Sequence, residues 1–165
     1  MASRDSFIAE LKHESHLTGK ILERVPLDRK DWQPHSKSMS IGRLATHIAE
    51  IPHWINDILS ADEFDFATRP FKFNIAGTQE ELMKIFSTTI ENALAELDRA
   101  GDDEFKKRWT IKRGNQVIMS PVKEVAIRGW AYSHLYHHRG QLTVFLRLLD
   151  IPVPGMYGPT ADERL

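Results

Sequence analysis

Two histidines lie four residues apart in the last long amphipathic segment of the chain, which reads Trp-Ala-Tyr-Ser-His-Leu-Tyr-His-His-Arg-Gly-Gln-Leu over residues 130–142. His134 and His138 fall within an apolar stripe that has helical spacing. The stripe comprises Ile127, Ala131, Leu135, Leu142, Phe145, Leu146 and Leu149. Two buried imidazoles one turn apart need a common partner, and a divalent metal ion is the natural one. The pattern therefore predicts a metal site, with His137 at the edge of the stripe and Arg139 pointing away from it.

A third ligand is expected from another helix, because two ligands on one helix rarely make a tight metal site. His47 is the best candidate, since it lies at the margin of an apolar stripe in the second predicted helix. His53 projects toward the opposite side of that helix. The remaining histidines, His13, His16 and His35, lie among polar residues and are predicted to be solvated. A histidine at a helix edge is also a common hydrogen-bonded core residue, so that interpretation of His47 stays open.

The chemistry of such a site follows from its donor atoms. Three neutral imidazoles bind Zn²⁺, Ni²⁺ or Fe²⁺ and leave one or more coordination positions for water or substrate. An ion held in this way lowers the pKa of bound water to about 7, and it turns a coordinated thiol into a thiolate. Gln141, one turn after His138, can hydrogen-bond a ligand or a substrate there. No glycine-rich phosphate loop and no Gly-x-Ser-x-Gly elbow occurs in the sequence.

The composition limits the classes of function and partner. A chain of 165 residues with 41% hydrophobic content is predicted to form one domain over residues 1–165. The net charge of −1 argues against nucleic acid or an anionic membrane as a partner, and the basic cluster at 106–113 is better explained as a solvated hairpin edge. The absence of cysteine excludes disulfides and a cysteine nucleophile. Since no signal peptide and no membrane-spanning run is recognised, we expect a soluble, cytoplasmic protein.

Four amphipathic helices are predicted to position these residues, at about 6–25, 40–60, 78–100 and 120–150. Pro52 lies inside the second helix and should kink it or weaken one turn. Thr78 and Glu81 form a capping box at the start of the third helix, and Gly101 is its expected C-cap. Ser120 and the following proline are expected to open the fourth helix.

A short hairpin is predicted between the third and fourth helices, because the hydrophobic period changes over residues 106–119. Arg-Gly-Asn-Gln at 113–116 suits a two-residue turn and places Ile111 opposite Ile118, with Trp109 on the same face. The predicted fold class is all-α, a four-helix bundle with a small β-hairpin before the last helix. The order of the helices around the bundle stays open, and the proline-rich tail is expected to lie across the body.

Several segments resemble a known superfamily. They are Trp-Gln-Pro at 32–34, Ser-Met-Ser-Ile-Gly-Arg-Leu-Ala-Thr-His-Ile-Ala-Glu at 38–50, His-Leu-Tyr-His-His-Arg-Gly-Gln at 134–141 and the tail at 152–163. Together they resemble the DinB/YfiT-like superfamily of metal-dependent proteins. The resemblance implies a four-helix bundle, commonly a homodimer, with a three-histidine site for nickel or zinc above all, and for iron or manganese as further divalent ions. Carried over by position, the ligands are His47, His134 and His138, the same three that the helical spacing indicates.

The resemblance also implies an activity. Some members of the superfamily are thiol S-transferases that use bacillithiol, mycothiol or glutathione, and a related group includes mycothiol-dependent maleylpyruvate isomerase. The leading hypothesis is therefore a metalloenzyme that transfers a low-molecular-weight thiol to a small electrophilic substrate. Since the chain has no cysteine, the sulfur must come from a cosubstrate. Two alternatives stay open, namely a hydrolase that uses metal-bound hydroxide and a metal-stabilised dimeric binding protein without turnover.

Overall fold

A computed structural model describes residues 3–69 and 73–164, and most of them are helical. The helices are α1 Ser3–Leu22, α2 Ile41–Glu50, α3 His53–Ser60, α4 Gln79–Arg99, α5 Lys123–Ile127 and α6 His134–Leu148. A π-helical segment, Arg128–Ser133, joins α5 to α6, so that four rods result: α1, α2 with α3, α4, and α5 with α6. The predicted all-α bundle is confirmed. No helix in the described ranges has the length and apolar character that a membrane crossing requires.

The four rods form a closed ring around the core, which gives the order that the sequence left open. Helix α1 packs against α4 and α6, while α4 also lies against α2 and α3. The ring closes where α2 packs directly against α6. Fully buried side chains such as Leu11, Ile48, Leu97 and Leu142 come from all four rods and fill the interior. The α2–α6 contact brings the helix that carries His47 against the helix that carries the histidine pair.

Pro52 divides the second predicted helix into two. The Ile51 N–H still donates to the His47 carbonyl at 3.0 Å and completes the last turn of α2. Pro52 has no N–H to continue the ladder, and it stands immediately before α3, accepting at its carbonyl from the Ile55 N–H at 3.1 Å. The structure therefore has two helices with a break between Glu50 and His53 where the sequence predicts one kinked helix.

Helix α4 begins as predicted and ends differently. Thr78 is its N-cap and accepts from the Glu81 N–H at 3.1 Å. The Glu81 carboxylate accepts from the Gly77 N–H at 2.7 Å, one residue before the position that a standard capping box uses. The prediction of Gly101 as the C-cap is wrong. Ala100 ends the helix in an extended conformation, with φ −70° and ψ 126°, so no left-handed residue is required.

A three-stranded sheet replaces the isolated hairpin of the sequence prediction. Its strands are β1 Glu63–Asp65, β2 Thr110–Arg113 and β3 Gln116–Met119, in the order β1-β2-β3. Strand β1, which the sequence did not predict, pairs parallel to β2, whereas β3 pairs antiparallel to it. The two-residue hairpin turn is confirmed, with Gly114 at φ 57°. The predicted register is wrong, because a bulge between Ile111 and Lys112 places Met119, not Ile118, opposite Ile111.

The fourth rod starts later than predicted, because Ser120 and Pro121 extend the pairing of the sheet region. The Pro121 carbonyl accepts from the Trp109 N–H at 2.9 Å, and the Lys123 N–H donates to the Lys107 carbonyl at 2.8 Å. The N-cap of α5 is Val122, which has no side-chain cap. The predicted cap at Ser120 is therefore wrong. The hairpin leads directly into the rod formed by α5 and α6, which carries the histidine pair.

Arg139 is buried against α1, where it forms an ion pair that the sequence did not predict. Its guanidinium donates to the Glu14 carboxylate at 2.6 Å and to the Thr18 hydroxyl at 3.0 Å. Arg139 is 2% exposed and Glu14 is 4% exposed, so both charges are removed from water. Tyr157 in the tail also accepts from Arg139 and donates to Glu14. The tail thus lies across α1 and α6, as expected from the sequence.

Candidate metal centre

The structure brings together the three histidines that the sequence singled out. His47 of α2 and His134 and His138 of α6 each offer a ring nitrogen, and these atoms all lie within 4.8 Å of one another. The Nε2 atoms of His47 and His134 are 3.1 Å apart. Two nitrogens bound to one tetrahedral zinc at about 2.0–2.1 Å lie roughly 3.4 Å apart. The spacing of the rings therefore fits ligation of a single ion, and this three-histidine group could hold a metal ion.

A π-helical turn orients the first histidine of α6. In the segment Arg128–Ser133, which ends immediately before α6, the Trp130 carbonyl lies 3.2 Å from the Nδ1 atom of His134. A carbonyl only accepts hydrogen bonds, so Nδ1 carries the proton and Nε2 of the neutral ring carries the lone pair. That lone pair lies on the nitrogen that approaches His47. Single π-helical turns inside α-helices are frequent at functional sites, and this one leads directly into α6, which carries His134 and His138.

Gln141 orients the second histidine of α6. Its side-chain Oε1 lies 2.7 Å from the Nδ1 atom of His138 and accepts the proton of that nitrogen. The Nε2 atom of His138 is thereby left with the lone pair of the neutral ring, which is the atom that could bind a metal ion. The hydrogen bond matches the role that the one-turn spacing of Gln141 and His138 indicated. Two of the three rings therefore have their protonated nitrogen directed away from the point where the rings converge.

Burial keeps all three rings uncharged at neutral pH. The pKa of His47 is lowered to about 3, by burial above all and also by the neighbouring His134, His138 and Arg43. The pKa of His134 is lowered to about 4, by burial first and then by His138, against the opposing effect of the hydrogen bond to Trp130. Burial also lowers the pKa of His138. A metal ligand must be a neutral imidazole, so these shifts favour coordination over protonation.

A cavity of about 260 Å³ lies beside His47. Ile51, Trp54 and Phe64 give it an apolar floor, while Arg43, Glu50 and Asp57 are among the polar groups that line it. Burial raises the pKa of both carboxyl groups, those of Glu50 and Asp57. A concave, largely apolar pocket with a few polar groups is the usual form of a small-molecule site. The three-histidine group is therefore adjacent to space that a small ligand can occupy.

The sequence analysis missed the polar residues of this cavity, although their spacing carried a signal. Positions 43, 47, 50, 54 and 57 are separated by four, three, four and three residues, which is the spacing of one helical face. They are Arg43, His47, Glu50, Trp54 and Asp57. This stripe runs beside the apolar core stripe of α2 and α3 and continues across the break at Pro52. Extending the periodicity outward from His47 would have placed these side chains on one helical face, although not in a cavity.

The other histidines lie outside the three-histidine group, as predicted. His137 is exposed, although its ring centroid is 4.8 Å from that of His138. The exposed His53 lies 3.7 Å from the Asp57 carboxylate and lines the same cavity as His47, so the prediction that it projects toward the opposite side of the helix is wrong. His13, His16 and His35 are exposed. The structure thus separates three converging rings from five that are solvated.

The chain is similar to known proteins over nearly its whole length. The model of the DinB family matches residues 1–164. The Bacillus subtilis (strain 168) protein called "Uncharacterized protein YrdA" is 24% identical over 162 residues, which are 96% of this chain and 90% of that protein. The crystal structure of a DinB-like protein from Bacillus cereus ATCC 10987 has a TM-score of 0.71 at 19% identity, covering 93% of this chain and 97% of its own. A DinB-like protein of Bacillus subtilis, YjoA, has a TM-score of 0.69 at 16% identity, covering 97% and 99%.

Proposed function

The chain belongs to the DinB family, and on that premise we propose that it is a metal-dependent enzyme that transfers a low-molecular-weight thiol to a small electrophile. His47, His134 and His138 would hold the divalent ion. The observation that supports this most is the convergence of three uncharged imidazoles, two of which have Nε2 lone pairs that are fixed by hydrogen bonds to Nδ1. Imidazole donors suit zinc, nickel and iron, and we favour nickel or zinc.

The site has the openness that a catalytic centre needs. When bound, a divalent ion would stabilise the thiolate form of a coordinated thiol. The chain supplies three nitrogen donors in the described ranges, and His47 also lines the cavity, so a cosubstrate can approach from that side. Ile51, Trp54 and Phe64 line this cavity, and their apolar side chains would exclude water from part of it when a substrate is bound. Since the chain has no cysteine, the sulfur must belong to the cosubstrate.

Metal analysis of purified variants tests the ligand set. We expect His134→Ala to lose most of the bound metal, because a ligand is removed from a three-donor site. His137→Ala is the matched control, since His137 is an exposed neighbour on the same helix. Equal metal content in wild type and His134→Ala would remove the basis for every metal-dependent function. A loss in both variants would point to a different set of ligands.

Turnover assays test the reaction. The metal-loaded protein is incubated with an electrophilic aryl halide and, in separate reactions, with cysteine, glutathione and 2-mercaptoethanol. Conjugate formation that requires both the metal and a thiol supports the proposal. Bond cleavage of an ester panel without any thiol would favour the hydrolase instead, and metal-dependent stabilisation without either activity would favour a binding protein. The homodimer implied by the family resemblance is proposed on the same basis and is tested by sedimentation equilibrium.

A further inference from the structure

Arg43 and Glu50 flank His47 on one face of α2. They lie four residues before it and three residues after it, so the three side chains share one side of the helix. The Arg43 guanidinium donates to Oε2 of Glu50 at 3.2 Å, which means that the two side chains meet across the turn that carries His47. All three residues line the same cavity. The ion pair therefore forms the edge of the cavity next to the three-histidine group.

The charge of Arg43 acts on the histidines themselves. It contributes to the lowered pKa of both His47 and His138, after burial and the neighbouring rings. The Arg43 side chain is only 14% exposed, and its guanidinium also stands 5.0 Å from the centroid of the Phe73 ring. Arg43 is thus held in place on two sides. A fixed cation at this position fixes the carboxylate that it binds.

Glu50 is better placed than the other titratable groups of the cavity to accept a proton. Asp57 lies two turns farther along, where Arg69 donates to it at 2.9 Å. His53 also lines the cavity, but its side chain is 61% exposed and lies 3.7 Å from the Asp57 carboxylate. The three histidines have no free nitrogen once Nδ1 is protonated and Nε2 is bound. Thr89 of α4 and Phe64 of β1, which face the cavity from the other elements, carry no titratable group.

The environment of Glu50 suits that role. Arg43 donates to Oε2, which leaves the lone pairs of Oε1 for an incoming proton. Burial raises the pKa of Glu50, while Arg43 and His53 lower it and oppose that effect. A carboxylate whose pKa rises toward the working pH is a stronger base than a solvated one. Its side chain is 34% exposed, so it remains in contact with solvent and can release the proton again.

We propose that Glu50 is the proton acceptor for the nucleophile at the three-histidine site and that Arg43 positions it; the proposal rests on the thiol transfer proposed above. The S–H bond of the thiol breaks, the proton moves to Oε1 of Glu50, and the electron pair stays on sulfur. The sulfur then forms a bond to the electrophilic carbon while the bond from that carbon to the leaving group breaks, and the leaving group departs with its electron pair. Glu50 returns the proton to the leaving group or to water.

Proton release on thiol binding tests the role of Glu50 without any turnover. The metal-loaded protein is mixed with 2-mercaptoethanol in a weakly buffered solution that contains a pH-indicator dye, and the proton is followed by stopped flow. We expect Glu50→Gln to slow release by about 10²–10⁴-fold, the usual contribution of a general base, with unchanged metal content. Glu91→Gln is the matched control, because Glu91 is exposed on α4. Arg43→Met should slow release, and Arg43→Lys should restore part of the rate.

The outcomes separate this proposal from the one on which it rests. No proton release from wild type with any thiol would overturn thiol transfer and the role of Glu50 together. Equal release rates in wild type and Glu50→Gln would overturn the role of Glu50 alone. A slow variant that regains the wild-type rate at saturating metal would also overturn it, because Glu50 would then act on metal binding. If the proposal is right, the rate of proton release should fall at acid pH in wild type. This fall should be absent in Glu50→Gln.

Discussion

Replacement of Gln141 by leucine tests whether the ring orientation seen here governs metal affinity. Gln141 is exposed, and its Oε1 accepts the Nδ1 proton of His138 at 2.7 Å. Leucine has a similar size but no acceptor, so the His138 ring loses the contact that directs its Nε2 atom. Removal of such a supporting group typically weakens metal binding by about 10–100-fold. This corresponds to about 1.4–2.7 kcal/mol of binding free energy.

The same loss should appear in thermal stability. At a metal concentration about 1,000 times the wild-type Kd, binding stabilises the folded state by about 4.1 kcal/mol. A Kd raised 10–100-fold leaves about 1.4–2.7 kcal/mol of that stabilisation at the same metal concentration. For a chain of this size, 1 kcal/mol shifts Tm by about 2–4 °C. The metal-induced rise in Tm should therefore shrink by about 3–11 °C in Gln141→Leu.

The assay combines metal titration against a competing chelator with thermal unfolding in the presence and absence of metal. Gln141→Glu is the matched variant, because its carboxylate keeps an acceptor for the Nδ1 proton and should retain wild-type affinity. Without metal, Gln141→Leu and wild type should unfold at nearly the same temperature, since the residue is exposed. An unchanged Kd in Gln141→Leu would refute the reasoning. So would an equal loss of Tm with and without metal, because the defect would then lie in the fold.

Two further predictions concern ion pairs away from the three histidines. Arg139→Met should lower the free energy of unfolding by about 3–5 kcal/mol, measured by urea denaturation, because Glu14 is left buried without its partner. Replacing Glu14 by leucine in the same protein should recover most of the lost unfolding free energy. If nothing is recovered, the loss comes from altered packing around Arg139 and not from the unpaired charge of Glu14. Hydrogen bonds from Lys107 and Lys123 lower the pKa of Glu104 from its ordinary 4.5, so its contribution to stability is present above that value and is lost as the pH falls through the lower folded-state pKa. The difference in unfolding free energy between wild type and Glu104→Gln should therefore disappear in acid, and a difference that is constant with pH would contradict this origin.

The elements that the sequence predicted best are those with a long, regular apolar period. The four rods follow from stripes such as those of α1 and α4, where local spacing alone identifies the buried face. Strand β1 was missed because it has three residues and owes its existence to pairing with β2, some 47 positions later in the chain. The register of the hairpin was missed because a bulge has no reliable signature in the residues around Ile111.

The π-helical segment lies within residues 127–142, the region whose buried stripe was predicted from regular helical spacing. Ile127, Ala131 and Leu135 recur at two successive intervals of four, which exceeds the 3.6 residues of an α-helical turn. All three are nevertheless buried on the same side, because the wider turn of Arg128–Ser133 accommodates the extra residue. Successive intervals of four also occur in regular amphipathic helices, so the spacing alone did not reveal the wider turn. Its consequence for the site, the hydrogen bond from His134 to the Trp130 carbonyl, required the backbone to be seen.

The cavity could not be derived from the sequence for a different reason. A polar stripe on an amphipathic helix has the same pattern whether it faces water or a concave binding site. Here Phe64 of β1 and Thr89 of α4 lie opposite Arg43, Glu50 and Asp57 and turn one side of α2 and α3 into a wall of the cavity. Thr89 comes from a different helix, and Phe64 comes from a strand that the sequence did not predict. The three histidines were recognisable because imidazoles are rare on a buried face, whereas the raised pKa of the Glu50 and Asp57 carboxyl groups comes from burial, which the residue pattern alone does not show.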